Sequence, residues 1–390
     1  MAIIDNSLIV LAIILFFGLI GPEFFKKLRL PFVTSLILVG GLLGPHALNM
    51  VQSTEAIEFF GLLGSTFIML LAGLEVKWEY FKNIQKEVLT IILLNTTIPF
   101  ITGLVLIRIL GYSWATSWLV GIIFLSSSVA IVASSIKQSH LQNSNIGKII
   151  ITIVAIEDTI GVLLFTLFTQ AINPSTIFPP LIYLGIILSL IMLLRMFLPE
   201  ISTYYFKKFK TDDEYESQLR LVVALLLFVL TFFSWFGVHP IVGAFLVGVL
   251  ISDVIKSEAL QHKLHTLGYG LFVPVFFFVI GMQMDFSLLT TPGVNEFLVI
   301  SIVLGLILSK FFSGYFAAKS QNFTVKESTI FGVSSTAKLT TTLSATYAAL
   351  SLNLLDSTLA TSLIILSIVT TMLAPILLNV LSKKWRSHNA

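Results

Sequence analysis

The sequence predicts an all-α polytopic membrane protein of about thirteen transmembrane helices, built from inverted-topology repeats with two crossed discontinuous helices. Three observations carry that prediction: an apolar composition, a one-sided distribution of lysine and arginine, and short strings that recur at one spacing in the two halves.

Of 390 residues, 56% are hydrophobic and 11% charged, and the mean hydropathy is +0.98. So apolar a chain has lipid as its solvent. It has no cysteine, which excludes a disulfide framework, a thiol nucleophile and a thiolate metal site. The N-terminus, "MAIIDNSLIVLAIILFFGLIGPEFFKKLRL", has an acidic leader and no small-residue cleavage site, so it reads as a retained first span.

Stretches long enough to cross about 30 Å of hydrocarbon fall at 7–25, 31–49, 55–75, 87–111, 115–136, 147–171 and 178–200. They continue at 218–236, 239–255, 262–283, 294–318, 327–350 and 357–381. The connections are short and polar. Residues 1–390 are therefore expected to be a single transmembrane domain.

Orientation follows from the lysines and arginines, which accumulate on the cytoplasmic side. Lys26, Lys27 and Arg29 follow span 1; Lys77, Lys82 and Lys86 follow span 3; Lys137 and Lys148 flank the loop after span 5. Lys207, Lys208, Lys210 and Arg220 follow span 7; Lys256 and Lys263 follow span 9; Lys319 and Lys326 follow span 11; Lys383, Lys384 and Arg386 follow span 13. All of these loops follow odd-numbered spans, which places the N-terminus outside and the C-terminus in the cytoplasm. Of the 23 basic residues, Arg108, Arg195, Lys310 and Lys338 remain. Arg108 and Arg195 lie near span ends, where a long side chain can snorkel to the headgroups. Lys310 and Lys338 are too central for that. Among the acids, only Glu157 and Asp158, in "ITIVAIEDTIGVLLF", are comparably deep. Buried ionisable groups in a membrane pair with one another or line a wet cavity, and they mark an ion or proton pathway.

The halves repeat. "LVGGLLGP" at 38–45 resembles "LVGVLISD" at 246–253, "LAGLEV" at 71–76 resembles "VIGMQM" at 279–284, and "SSSVA" at 126–130 resembles "SSTAK" at 334–338. Each pair lies 208 residues apart. The candidate repeats are 31–171 and 239–381, and their first spans run in opposite directions, as in secondary transporters whose site lies at the repeat interface. The serine clusters interrupt apolar helices at matching places. Hydroxyls can satisfy backbone groups freed where a membrane helix unwinds, so spans 5 and 12 are expected to break near Ser126 to Ser128 and Ser334 to Thr336. Lys338 could then offset the carbonyl-end dipoles of the half-helices.

On these residues the chain resembles the cation:proton antiporter-2 family, which includes sodium/proton exchangers and the membrane domains of glutathione-gated potassium efflux systems. The resemblance runs through "LPFVTSLILVGGLLGP" (30–45), "FIMLLAGLEV" (67–76), "SSSVAIVASS" (126–135), "AIEDTIGVLLF" (155–165), "HPIVGAFLVGVLISD" (239–253) and "PVFFFVIGMQMDF" (274–286). It implies that Asp158 carries the ion, that Glu157 pairs with Lys310 of "GLILSKFFSGYF", and that Ser127 and Ser128 belong to the unwound segment beside the carrier. The chain departs from the family in having Glu at 157 and "SSTAKLTTTLS" in place of a glycine-rich second break. It stops about ten residues after span 13, so no soluble nucleotide-binding domain is expected.

The function implied is not enzymatic. It is a secondary antiporter exchanging a monovalent cation, Na⁺ first, for H⁺ by alternating access. K⁺/H⁺ exchange and a sodium-coupled organic-anion symporter of similar fold are the alternatives. Asp158 would be the site for Na⁺, K⁺ or Li⁺, with Glu157, Ser127 and Ser128 beside it, and Lys310 and Lys338 compensating charge. A buried aspartate can hold a proton or a cation, not both. The resemblance also implies a homodimer in the plasma membrane of a bacterium. The lipid bilayer is the expected partner, and neither a cofactor nor a nucleic acid is expected. An intramembrane aspartyl protease is excluded because adjacent acids on one helix do not face each other.

Overall fold

The computed structural model describes residues 6–25, 31–77, 86–142, 144–174, 176–208, 214–255, 257–285 and 294–386. These contain sixteen α-helices and one π-helical turn, and no strand. In chain order the helices are α1 (Ser7–Phe25), α2 (Phe32–Leu43), α3 (Glu55–Glu75), α4 (Lys86–Ile109), α5 (Trp114–Leu125), α6 (Val129–Gln138), α7 (Asn145–Ile172) and α8 (Pro180–Lys208). They continue with α9 (Glu214–Ser234), α10 (Pro240–Ile251), α11 (Glu258–Leu267), the π-turn (Gly268–Phe272), α12 (Val273–Met282), α13 (Val294–Ser320), α14 (Val325–Ser335), α15 (Thr340–Ser351) and α16 (Ser357–Arg386).

Every predicted span coincides with one helix or with a broken pair. Nine described segments are long and apolar enough to cross a membrane, α1, α2 and α10 are apolar but shorter, and α14 with α15 makes the remaining span. The polar hydroxyls and Lys338 of that last pair lower its apolarity. Lys26, Lys27, Arg29, Lys82, Lys210 and Lys256, which contribute to the orientation argument, lie outside the described residues.

Local chemistry sets the helix starts. Thr54, Ser113, Ser144 and Ser257 accept from the backbone N–H groups of Ile57, Thr116, Gly147 and Leu260. Thr324 and Glu327 close a reciprocal capping box at α14. Two spans break at the serine clusters: α5 gives way to α6 through residues 126–128, and α14 to α15 through 336–339. The second break lies one or two residues beyond the predicted place: α14 runs to Ser335, and the Thr336 and Ala337 N–H groups close it with i→i−3 bonds to Val333 and Ser334. A third irregularity, the π-turn, was not predicted. Pro274 follows it and has no N–H to continue an i→i−4 ladder, a known cause of helix distortion.

The helices form two bundles. In the first, α2 packs on α12, α3 on α10 and α12, and α1 on α2. In the second, α4 packs on α5 and α13, α13 on α14 and α16, and α7 on α5 and α6. The first bundle is clamped by backbone contact at glycine. A methyl at Gly40 would collide with the Phe278 carbonyl, and one at Gly281 with the Ile37 carbonyl; Gly248 against Leu70 and Gly73 against Phe245 repeat this pair of collisions. Every residue of one contact set lies 208 positions from its counterpart in the other. Small residues let membrane helices meet backbone to backbone, which is where their association energy comes from.

Candidate functional site

The two bundles meet around the middle of α7, where Glu157 and Asp158 are both 0% exposed. Consecutive helical residues point about 100° apart, so the two carboxylates address different neighbours.

Glu157 faces α4, α13 and the first break. Its Oε2 lies 2.8 Å from Lys310 Nζ and accepts from Ser127 Oγ at 3.0 Å, and its Oε1 accepts from Asn95 Nδ2 at 2.6 Å. Lys310, also 0% exposed, donates a second bond to the Asn95 carbonyl at 3.0 Å. That carbonyl is free for a reason written in the sequence: Pro99 sits inside α4 four residues on and has no N–H to give it. Ser313 Oγ completes the cluster by donating to Asn95 Oδ1 at 2.7 Å. Glu157 is therefore paired and well bonded, as a buried charge requires.

Asp158 turns to the other side. Among the described residues, neither of its carboxylate oxygens accepts a hydrogen bond. The Thr341 hydroxyl, the Val129 backbone N–H that opens α6, and Lys338 are its electrostatic neighbours, but none of them reaches hydrogen-bond geometry. Thr341 Oγ1 is itself unbonded. Buried polar groups are nearly always satisfied, so a fully buried carboxylate without a donor marks Asp158 as the candidate site. Thr341 also lines, with Ser126, Gly161 and mostly apolar side chains, a small cavity of about 20 Å³.

The helix breaks cross each other at this point. Ser127 Oγ lies 3.0 Å from the Ser335 carbonyl as well as from Glu157, and its single proton can serve only one of them. The Ser128 N–H donates to Ala337 O at 2.9 Å, and Ser128 Oγ lies 3.2 Å from Thr340 Oγ1. Lys338 Nζ donates to the Ile123 and Phe124 carbonyls at 3.2 and 3.0 Å, the orphan acceptors at the end of α5. The lysine charge thus sits on the negative end of one half-helix dipole, while the amide end of α6 faces Asp158.

All six sequence-predicted residues, Asp158, Glu157, Ser127, Ser128, Lys310 and Lys338, are brought together here. Three others were not predicted. Asn95 could have been found from Pro99, four residues later in the same apolar run. Thr341 was hidden in "LTTTLS", where hydroxyls are too many to single one out. Glu75 ends α3 exposed, yet it feels the charge of Asp158 and acts in turn on Tyr269 of the π-turn. Its proximity depends on how α3 crosses the other bundle, which the sequence does not contain. Arg195, expected to snorkel, instead pairs with Asp253 at 2.9 Å because α8 packs against the end of α10.

Residues 11–384 match the family model described as "Sodium/hydrogen exchanger, transmembrane". The chain is 29% identical over 373 residues to the "Probable Na(+)/H(+) antiporter 3" of Methanocaldococcus jannaschii, covering 93% of this chain and 94% of that protein. It is 27% identical over 385 residues to the "Na(+)/H(+) antiporter NhaS5" of a Synechocystis species, of which it spans 54%. Its fold is that of the sodium proton antiporter MjNhaP1 from Methanocaldococcus jannaschii, with a TM-score of 0.70, 19% identity, and coverage of 96% of this chain and 97% of that one. The exchanger type read from the motifs agrees with this match. The antiporter-2 label does not, since the matched model belongs to the antiporter-1 grouping, a different subfamily.

Proposed function

The chain belongs to the sodium/hydrogen exchanger family, and from that premise we propose that it exchanges Na⁺ for H⁺ across a membrane, with Asp158 as the carrier. The observation that carries this reading is the contrast on α7: Glu157 is bonded by Lys310, Asn95 and Ser127, while the oxygens of Asp158 accept nothing among the described residues. A carboxylate so placed takes either a proton or a cation, and that exclusion is the exchange. The small cavity that Thr341 and Ser126 line, about 20 Å³, is too small for an organic anion.

Asp158 is 0% exposed, so exchange requires one bundle to move against the other. The 31–171 and 239–381 segments are the two repeats, of opposite topology, and the glycine contacts recurring at an offset of 208 support that division. Ser127 and Ser128 lend oxygens at the crossing, Lys310 balances Glu157, and Lys338 balances the carbonyl end of α5. The protein works as a homodimer in the plasma membrane, with its N-terminus outside and its C-terminus in the cytoplasm, as the lysine and arginine distribution supports.

The test is Na⁺-driven proton movement in proteoliposomes. Asp158→Asn keeps size and hydrogen-bonding capacity but removes the proton site and the negative charge, so exchange is lost while the protein remains folded and inserted. Glu157→Gln retains exchange with an altered pH profile. Substantial exchange by Asp158→Asn would falsify the assignment; a dead Glu157→Gln beside an active Asp158→Asn would swap the two roles.

A further inference from the structure

Away from the crossing, a cavity of about 650 Å³ opens between α4, α5 and α7, within the range of ligand sites. Its walls include Phe100, Trp114, Trp118, Ile122, Leu164 and Phe168. Trp114 and Trp118 are 58% and 48% exposed, so on a membrane-spanning surface this slot faces lipid. Its mouth lies at one end of the bundle, where Trp114 opens α5, Ile172 closes α7 and Pro180 opens α8.

At that mouth stands Arg108. Its guanidinium lies 5.2 Å from the centre of the Trp114 ring, and its Nη1 donates to the Tyr112 carbonyl at 2.9 Å. The group has five N–H donors, and among the described residues no carboxylate forms an ion pair with it. The nearby Tyr112 hydroxyl carries no charge, because burial and then the Asp356 carboxylate push it up to about 12. Asp356 itself accepts from the Leu359 N–H at the start of α16. The positive charge of Arg108 is thus the exception at an end of the bundle whose loops carry no lysine or arginine.

We propose that an anionic phospholipid of the surrounding bilayer occupies this slot, one acyl chain lying between α4, α5 and α7 and its phosphate bound by Arg108. The aromatic rim sets the depth, since tryptophan rings sit at the membrane–water interface. Beneath it the walls offer an acyl chain apolar contact and give a polar solute almost nothing to bind. The occupant would also touch the transport machinery, because Ile122 lines both this slot and the small cavity beside Ser126 and Thr341. The proposal requires only that these helices lie in a bilayer, so it stands or falls separately from the exchange reaction.

The experiment uses the full chain with Trp78, Trp235 and Trp385 changed to Phe, leaving Trp114 and Trp118 as reporters. It is titrated in detergent with phosphatidylglycerol carrying brominated acyl chains, and separately with phosphatidylcholine carrying the same chains. Phosphatidylglycerol is expected to reach half-quenching at about fivefold lower concentration, the preference one basic residue confers at an anionic surface. Arg108→Gln removes that preference, and Ala115→Phe, which fills the slot, removes saturable quenching by either lipid. Native mass spectrometry of the chain with its tryptophans intact, in an equal mixture of the two lipids, checks the result without the reporter substitutions: the phosphatidylglycerol adduct should dominate in the parent, fall to parity with phosphatidylcholine in Arg108→Gln, and be lost with it in Ala115→Phe. Equal half-quenching by the two lipids in the parent, or a preference that survives Arg108→Gln, overturns the proposal.

Discussion

Replacing Lys310 with alanine tests whether the buried pair on α7 and α13 is coupled as the geometry implies. Lys310 Nζ serves two acceptors, Glu157 Oε2 at 2.8 Å and the Asn95 carbonyl at 3.0 Å. Removing one partner of a buried ion pair costs about 3–5 kcal/mol, because the other charge is left uncompensated in a medium that does not solvate it. The lower end applies here: Asn95 Nδ2 and Ser127 Oγ still donate to the carboxylate, and Glu157 can take up a proton to shed its charge. We therefore expect a loss of about 3 kcal/mol for Lys310→Ala. Adding Glu157→Gln removes the stranded charge, so the double variant should recover about 2 kcal/mol of that loss, and the coupling is this recovery plus whatever Glu157→Gln costs alone. Unfolding in mixed detergent micelles, titrated with sodium dodecyl sulfate, measures all four corners of the cycle. If the two changes add within about 0.5 kcal/mol, the pair is not energetically coupled and this account of Glu157 fails.

Other substitutions probe neighbouring parts of the site. Asn95→Ala removes the short bond to Glu157 Oε1 and leaves Ser313 without that acceptor, so it should destabilise the protein by about 1–3 kcal/mol and shift the pH profile of exchange. An unchanged profile in proteoliposomes would assign Asn95 to packing alone. Lys338→Met strands the Phe124 carbonyl at the end of α5 and leaves the Ile123 carbonyl only the Ser126 hydroxyl; we expect a higher apparent KM for Na⁺ in the proteoliposome assay, and the idea is wrong if KM is unmoved in a stably folded variant. Gly281→Leu places a side chain against the Ile37 carbonyl where α2 and α12 touch, and should abolish recovery of folded protein in detergent. Normal yield and thermal stability would show that the helices can separate there.

Much of this molecule is local and therefore legible. Span positions follow from runs of apolar residues, because hydrocarbon thickness sets helix length whatever lies next to the helix. The breaks at Ser126 to Ser128 and after Ser335 follow from hydroxyls in an apolar run, and the recurrence at 208 residues from the strings themselves. Four ionisable residues, Glu157, Asp158, Lys310 and Lys338, declare themselves because burying charge in a membrane is costly enough to be kept only for a use. Neighbourhood is what the chain order does not contain. Which carbonyl Lys338 meets depends on the crossing of two half-helices whose residues are more than two hundred positions apart. Asn95 acquires its role only because α4, α7 and α13 converge, bringing a carbonyl freed by Pro99 to Lys310 and an amide to Glu157. The pairing of Arg195 with Asp253 and the nearness of Glu75 to Asp158 likewise depend on packing angles. Sequence determined which groups must be compensated, through the cost of burying them; tertiary structure decided which partner does so, because hydrogen bonds and ion pairs act over about 3 Å and only the fold brings distant residues that close.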